Sequence, residues 1–186
     1  MALRISAGIL GGRRLAVPGS MVRPTQEKVR QALFSMLAPR LAGAKFLDLY
    51  AGSGSVGVEA WSRGAGGVVF VEEDRRVAGI LRKNVEMCDG ECTVFVMDSL
   101  KFLRRRENNG PYDIIFADPP YKKWLGRNNY LDIILQLILN GGILGENGIT
   151  VLEKASGTEA AVPAGWRLKD RRRYGETELL FLEMEC

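Results

Sequence analysis

The 186-residue sequence contains no histidine and only three cysteines, Cys88, Cys92 and Cys186. The absence of histidine excludes Ser-His-Asp and Cys-His catalysis, metal sites built on imidazole, and any imidazole acid or base. An odd, small number of cysteines argues against a disulfide scaffold and fits a reducing cytoplasm. Because Cys88 and Cys92 have no further ligand residues beside them, we expect no metal site. Any proton chemistry would fall to carboxylates, tyrosine, lysine, cysteine or water.

Long apolar runs are also missing. No stretch approaches the length of about 18 apolar residues that marks a transmembrane helix, so we expect no membrane partner. Residues 1–10 carry Arg4 and lack the apolar centre of a signal peptide. The hydrophobic fraction of 46% is nevertheless high enough for a sizeable buried core. The length predicts one domain of ordinary size, and nothing in the sequence demands more than a monomer.

Positive charge is concentrated at the start of the chain. Residues 1–45 contain eight basic residues and one acid, Glu27, whereas residues 46–186 contain 18 basic and 21 acidic residues. A basic segment attached to a slightly acidic body favours a polyanionic partner, with nucleic acid as the first candidate. A solvated basic face without a partner is the alternative that charge alone leaves open.

From residue 46 onward, short apolar runs alternate with helical patterns. The runs are nearly continuous in apolar residues, as expected of parallel strands that are covered on both faces. They lie at residues 46–50, 68–71, 93–97, 113–117 and 149–152, with helices expected at about 55–64, 75–88, 99–106 and 129–140. Asp74 and Ser99 stand at N-cap positions of the second and third helices. Two last runs, at about 166–173 and 178–184, predict a hairpin.

This alternation predicts an α/β, Rossmann-like fold with a mostly parallel seven-stranded sheet, helices on both faces and a C-terminal antiparallel hairpin. Residues 1–45 differ, because they predict a β-hairpin around Gly11-Gly12 and a helix from about Thr25 to Leu37. In that helix Val29, Leu33, Met36 and Leu37 would face inward, while Arg30 would face outward. We therefore divide the chain into a basic N-terminal extension, residues 1–45, and an α/β domain, residues 46–186.

A glycine-rich segment joins the first strand to its helix. It reads Asp48-Leu-Tyr-Ala-Gly52-Ser-Gly54-Ser-Val-Gly57, and Glu72 ends the next strand, 20 residues after Gly52. Glycines permit a tight turn and a close approach of ligand to backbone, and a carboxylate at that spacing suits two ribose hydroxyls. The pattern favours ligand binding over an ordinary turn but leaves NAD and S-adenosylmethionine as alternatives.

Asp118-Pro119-Pro120-Tyr121 follows the fourth strand at its carboxyl end, where ligands bind in open α/β sheets. Two successive prolines fix the backbone and remove two N–H donors, which leaves a rigid row of acceptors. Acceptors that hold the hydrogens of a base –NH2 group direct its lone pair toward an electrophile. Tyr121 would stack on a flipped base. A rigid turn with a capping aspartate is the alternative interpretation, and the nucleotide-binding sheet favours the catalytic one.

With these motifs the sequence resembles the class I S-adenosylmethionine-dependent methyltransferases that act on amino groups, and more narrowly the bacterial RsmD family of 16S rRNA (guanine-N2)-methyltransferases. The resemblance extends over essentially the whole chain. It rests on residues 4–8 and 12–15, on Arg23-Pro-Thr25 with residues 29–34, on residues 46–54, on Val71-Glu72, on Asp118–Tyr121 and on Tyr174-Gly175. It implies S-adenosylmethionine as cofactor, cytoplasmic rRNA methylation, and 16S rRNA within the small ribosomal subunit or an assembly intermediate as substrate.

The resemblance also implies roles for individual residues. Asp118, Pro119, Pro120 and Tyr121 would be the catalytic set. Asp48 and the segment Gly52–Gly54 would hold the methionine end of the cofactor, Glu72 its ribose and Asp98 its adenine amine. The expected cofactor-binding set is completed by Tyr50, Ala51, Ser53 and Ser99. Capping the following helix is the alternative role for Asp98.

Candidates for RNA contacts are basic residues near these motifs: Arg13, Arg14, Arg23, Arg30, Lys122 and Lys123. Arg104–Arg106 and Arg171–Arg173 could extend the basic track or could be solvated surface charge.

Three other functions stay open at this stage. Methylation of DNA adenine N6 or of a protein amide would use the same Asp-Pro-Pro-Tyr chemistry. An NAD-dependent oxidoreductase would use the glycine segment and Glu72 but not Asp118–Tyr121. A non-catalytic RNA-binding module would need no acceptor site.

Overall fold

Alternating strands and helices account for most of the chain. The computed structural model describes residues 3–18, 27–105, 107, 109–120, 130–157 and 161–185. Its helices are α1 Glu27–Leu41, α2 Ser55–Ser62, α3 Arg75–Val85, α4 Ser99–Leu103 and α5 Tyr130–Gly141. Its strands are β1 Lys45–Asp48, β2 Gly67–Glu72, β3 Glu91–Val96, β4 Tyr112–Ala117, β5 Leu144–Ala155, β6 Trp166–Tyr174 and β7 Thr177–Met184. Every element expected after residue 46 is present, and the largest difference is that β5 begins at Leu144 rather than Ile149.

The seven strands form one sheet in the order β3-β2-β1-β4-β5-β7-β6. Strands β1 to β5 are parallel to one another, whereas β7 is antiparallel to both β5 and β6. The chain builds outward from β1 to β3 and then crosses to β4 on the other side of β1. Ligands bind in open α/β sheets where the order reverses in this way, outside the carboxyl ends of the strands. Topology therefore places a site above the ends of β1 and β4.

Each face of the sheet has its own apolar cluster, because successive strand residues point to opposite sides. Phe46 and Phe70 pack with α1, α2 and α3 on one face. Leu47 and Ile115 pack with α4 and α5 on the other. Helices on both faces cover the apolar strands, and this arrangement confirms the predicted α/β architecture.

The segment of residues 3–18, called the N-terminal arm below, packs on the face that carries α1. Arg4 and Arg14 form an antiparallel bridge, and Gly12 turns the chain with φ of 82°. Ile5, Leu10 and Leu15 are buried in the same cluster as α1 and Phe46. The expected hairpin is thus present in short form, and its apolar side belongs to the core of the sheet.

The orientation predicted for Arg30 is wrong. Its side chain is fully buried, and its Nε donates to Glu59 Oε2 over 2.6 Å. A second nitrogen donates to the carbonyl oxygen of Arg4 over 2.6 Å. Glu59 also accepts from Arg63 and from the hydroxyl of Ser6. Burial is tolerated because the guanidinium is paired with a buried carboxylate, and a side chain held there cannot contact RNA.

The N-cap predicted at Ser99 is also displaced by one residue. Asp98 is the N-cap of α4, and its carboxylate accepts from the backbone N–H of Lys101. The Ser99 hydroxyl instead donates to the carbonyl oxygen of Leu49. The other predicted cap is confirmed, since Asp74 accepts from the N–H groups of Arg76 and Val77.

Among the described residues, no helix has the length and apolar character needed to cross a membrane, and no cluster of metal-binding side chains occurs.

Candidate active site

Four carboxylates lie along one edge of the sheet. Asp48 ends β1 and Glu72 ends β2, while Asp98 follows β3 and Asp118 follows β4. Asp48 is level with Phe116 in the β1–β4 register, so Asp118 lies just beyond Asp48 on the neighbouring strand. Glu72 is level with Val96 of β3, two residues before Asp98. The structure therefore brings together the carboxylates that the sequence placed at separate strand ends.

The glycine loop, residues 49–54, makes a tight turn over the end of β1. Gly52 and Gly54 have φ of 55° and 83°, in the left-handed region that favours glycine. Gly54 N–H donates to the Ala51 carbonyl over 2.7 Å, and Ala51 N–H donates to the Val71 carbonyl over 3.0 Å. The loop is thus anchored on β2, and its backbone can approach a ligand closely.

Gly57 is required by packing rather than by backbone conformation. A Cβ atom at this position would lie 2.2 Å from the ring of Phe70. The absence of a side chain lets α2 press against β2, which fixes the helix directly behind the loop. The Gly57 N–H donates to Asp48 Oδ2 over 3.0 Å. Asp48 therefore joins the end of β1 to the first turn of α2.

Glu72 holds the glycine loop by its side chain. One oxygen accepts from Gly52 N–H over 2.9 Å, and the other accepts from Asp74 N–H over 2.8 Å. An ionised carboxylate offers about four acceptor positions, so both oxygens keep capacity for hydroxyl donors. Burial raises the pKa of Glu72, although the bonds from Asp74 and Gly52 oppose that effect. Binding of a ribose by this carboxylate stays a prediction.

Asp118 and Pro119 continue directly from β4, and Pro120 is exposed beyond them. Burial raises the pKa of Asp118 to about 7. Burial also raises the pKa of Asp48 to about 7, with a further contribution from the charge of Asp118. Carboxyl groups whose pKa values lie near neutrality in a cleft are typical of functional sites. Such a group can accept a proton from a ligand at physiological pH.

The other expected cofactor residues lie around the same loop. Asp98 caps α4, and Ser99 is buried with its hydroxyl directed to the loop carbonyl at Leu49. Tyr50 shares a hydrogen bond of 2.9 Å between its hydroxyl and that of Tyr130 in α5. Ser99 thus holds the glycine loop by a hydrogen bond to its first residue, and any contact between the Ser99 side chain and a cofactor stays a prediction.

Several expected residues lie outside the described part of the chain: Tyr121, Lys122, Lys123 and Arg23. Arg13 and Arg14 are described, and both are exposed on the N-terminal arm. They are accessible for contacts with a polyanion, whereas Arg30 is buried and is not accessible.

Two polar residues around the site gave no signal in the sequence. Asn84 lies in the buried stripe of α3, and its amide reaches the glycine loop at the Ser53 carbonyl. Glu59 lies in the first helix after the loop and binds Arg30. Helical spacing would have placed both positions on a buried face, but it could not have named their partners.

The sequence profile of the family described as "Conserved hypothetical protein 95" matches residues 3–183. The chain belongs to this family. It is 34% identical over 187 residues to "Ribosomal RNA small subunit methyltransferase D" of Escherichia coli (strain K12), covering 99% of this chain and 91% of the relative. The resemblance to the RsmD family is thereby confirmed.

Solved structures agree with this membership. The structure of yhhF from Escherichia coli matches with a TM-score of 0.86 and 33% identity, covering 100% of this chain and 99% of that chain. SMU.776, solved in complex with SAH, matches with a TM-score of 0.67 over 87% of this chain and 50% of that chain. Its identity of 19% shows likeness of fold alone. Family and fold together confirm the predicted Rossmann-like methyltransferase fold.

Proposed function

We propose that this family member transfers a methyl group from S-adenosylmethionine to the exocyclic N2 of a guanine in 16S rRNA of the small ribosomal subunit, acting in the cytoplasm. The observation that carries the proposal is the position of Asp118. It extends from β4 beside Asp48, with the glycine loop on one side and the strands β5, β7 and β6 on the other. A ligand above the loop and a base above β4 would meet at this carboxylate.

The residues on the β1–β2 side fit S-adenosylmethionine. Glu72 offers two oxygens to ribose hydroxyls, and the left-handed turn at Gly52 and Gly54 exposes backbone without side chains. Asp98, beyond β3, would accept from the adenine amine. The cofactor supplies a methyl group that is already activated by a sulfonium centre. No histidine is needed for such a reaction, which agrees with the composition.

Asp118 would act on the base amine. Its carboxylate and the carbonyl groups beside the two prolines accept the hydrogens of the –NH2 group and direct the nitrogen lone pair at the methyl carbon. As the N–C bond forms, the bond from the methyl carbon to the sulfonium sulfur would break and release S-adenosylhomocysteine. One N–H proton would then leave the nitrogen, and Asp118 or water would take it up. A pKa near 7 suits this exchange, because the group can accept and release a proton near neutral pH.

The RNA would approach over exposed basic residues in two parts of the chain. Arg13 and Arg14 project from the N-terminal arm. Strand β7 is antiparallel to β5, so the β6–β7 turn lies at the same sheet edge as Asp118. Arg171 and Arg173 lie near that turn and are exposed. Phosphate contacts from these residues would position the target nucleotide without reading its sequence.

The choice of rRNA rests on the relatives, since Escherichia coli methyltransferase D is named for the RNA of the small subunit. Methylation of DNA adenine or of a protein amide would use the same Asp118 geometry. NAD would explain the glycine loop and Glu72 but would leave Asp118 without a role. Thermal stabilisation separates the cofactors: we expect S-adenosylhomocysteine, and not NAD, to raise the melting temperature.

The deciding experiment measures transfer of labelled methyl groups to unmodified small subunits, naked rRNA and DNA, with products digested to nucleosides. We expect N2-methylguanosine from the ribosomal substrate. Asp118→Ala should abolish turnover while S-adenosylhomocysteine affinity stays nearly unchanged, because Asp118 contacts the base rather than the cofactor. Methyladenine from DNA would overturn the substrate assignment, and normal turnover by Asp118→Ala would overturn the mechanism.

A further inference from the structure

A single buried amide connects the N-terminal arm to the glycine loop. The Asn84 side chain is 3% exposed and lies among Val77, Ala78 and Leu81 in the buried stripe of α3. A polar side chain in an apolar stripe requires hydrogen-bond partners. Asn84 finds those partners in two distant parts of the chain.

Both donors and the acceptor of this amide are used. Asn84 Oδ1 accepts from Ala16 N–H over 2.9 Å, and Nδ2 donates to the Ala16 carbonyl over 2.8 Å. The amide therefore pairs with Ala16 as a neighbouring peptide group would. Nδ2 also donates to the Ser53 carbonyl over 2.8 Å. Because the amide is planar and rigid, its bonds to Ser53 and to Ala16 depend on one and the same orientation of the Asn84 side chain.

The contact at Ser53 lies within the part of the loop that would touch a cofactor. Ser53 stands between Gly52, whose N–H is held by Glu72, and Gly54. The loop also presses on α3 one turn before Asn84, because a Cβ atom at Gly54 would lie 2.5 Å from Leu81 Cδ1. On the other side, Ala16 follows the exposed pair Arg13 and Arg14 on the arm. One side chain thus joins the expected cofactor site to the expected RNA site.

We propose that Asn84 is a positioning residue that couples the glycine loop to the N-terminal arm, so that a cofactor bound at the loop also holds the arm in place for RNA. This inference rests on the proposed function. A ligand that restricts the loop restricts Ser53, and the three hydrogen bonds transmit that restriction to Ala16. Cofactor and RNA would then bind cooperatively without a large conformational change.

Hydrogen exchange of the full-length protein with and without S-adenosylhomocysteine tests the coupling and needs no RNA. In the wild type we expect the ligand to slow amide exchange in the loop and, at least about fivefold, in arm residues 12–17. Asn84→Asp can still accept from Ala16 N–H but cannot donate to the Ser53 carbonyl or to the Ala16 carbonyl. This variant should keep protection in the loop and lose the added protection in the arm. Asn84→Ala should behave in the same way.

Asn140→Asp is the matched control, because Asn140 is exposed in α5 and the chemical change is identical. It should behave like the wild type. The coupling is overturned if the ligand protects the wild-type loop alone, or if both Asn84 variants still show protection of the arm. Circular dichroism shows whether each Asn84 variant is folded. If Asn84→Ala folds poorly, the hydrogen-exchange comparison is made with Asn84→Asp. No ligand protection anywhere would overturn the cofactor assignment and this inference together, a pattern distinct from loss of coupling.

Discussion

Asp48 and Asp118 end neighbouring parallel strands and are electrostatically coupled. Burial raises the pKa of both carboxyl groups to about 7, and the charge of Asp118 adds to the shift at Asp48. The two differ in their partners, because Asp48 is held by Gly57 N–H and Asp118 leads into Pro119 and Pro120. Asp48 therefore joins β1 to α2, while Asp118 is the group that we propose acts on the substrate.

The pKa of Asp118 predicts a pH dependence of methyl transfer. The ionised carboxylate can accept with both oxygens and can take up the proton, whereas the protonated group cannot take up a further proton; the ionised population grows as pH rises through about 7. We expect the single-turnover rate to rise about tenfold per pH unit below the pKa and to level off above it. Measuring this rate between pH 5.5 and 9 checks the prediction.

Asparagine at the same position separates this ionisation from others. Asp118→Asn keeps an acceptor oxygen but cannot titrate, so its lower rate should be flat across pH 7. Asp48→Asn should keep the rise, because Asp118 is still present. A rise that persists in Asp118→Asn would assign the ionisation to another group.

Glu72 is predicted to determine affinity for the cofactor. Glu72→Gln replaces one acceptor oxygen by a donor, which cannot accept from Gly52 N–H or from a ribose hydroxyl in the same way. Hydrogen bonds to charged groups contribute about 1.5–3 kcal/mol, so S-adenosylhomocysteine binding should weaken about 10- to 150-fold by calorimetry. Glu73→Gln changes the exposed neighbouring residue and should bind normally; equal loss in both variants would contradict a specific role.

The buried pair of Arg30 and Glu59 is predicted to stabilise the fold rather than to bind RNA. Both side chains are 0% exposed, so Arg30→Met removes one of the two cationic partners of the buried Glu59 carboxylate, leaves only Arg63, and should lower the free energy of unfolding by up to about 3–5 kcal/mol. Burial alone would raise the pKa of Glu59, but bonds from Ser6, Arg63 and Arg30 outweigh it and lower that pKa. The ionised Glu59 carboxylate therefore contributes to the free energy of unfolding at neutral pH, and this contribution is lost as pH falls through the lowered pKa.

Urea unfolding measures this loss, and two variants control for it. Arg63 is 22% exposed, so Arg63→Met should cost much less. Arg30→Met with Glu59→Leu should recover part of the stability, because no charge stays buried without a partner. A stable Arg30→Met protein whose RNA binding had become less salt-dependent would instead show that Arg30 contacts phosphate.

Arg171 and Arg173 are predicted to contact RNA phosphates. Glu178 already pairs with the buried Lys154 and lies 4.0 Å from Arg171, while Arg173 Nε donates to the Gly175 carbonyl. Each phosphate contact that is removed should lower the slope of log affinity against log salt by about one. We expect that change in Arg171→Gln and Arg173→Gln when RNA binding is measured at several salt concentrations.

Arg167 provides a control on the same strand. It is exposed like Arg171, but it lies at the other end of β6, away from the edge that carries Asp118. Arg167→Gln should leave the salt slope unchanged. If all three variants lowered the slope equally, the RNA track would not follow the edge of the sheet.

The periodicity of the sequence predicted the fold and the sheet edge at which the candidate carboxylates gather. Continuous apolar runs separated by helical patterns can be satisfied only by a sheet covered on both faces, and such a sheet gathers Asp48, Glu72, Asp98 and Asp118 at one edge. These features depend on residues close together in the chain and on general rules of βαβ topology. The predicted strands match the observed strands, so these rules are sufficient to predict the order of the elements.

Partners of buried polar groups could not be predicted in this way. Arg30 looked exposed because a charged residue beside an apolar stripe usually is, and only the arrival of Glu59 from α2 allows its burial. Ser99 resembled a cap, but its hydroxyl reaches Leu49, 50 residues away in sequence. Asn84 gave no signal, yet it joins Ala16 and Ser53. The sequence by itself determined the order of elements and the edge of the sheet at which the four carboxylates gather, because hydrophobic periodicity is local. Tertiary structure alone decided how buried charges and amides are paired, because a buried polar group is stabilised by whichever distant partner the fold brings within hydrogen-bond distance.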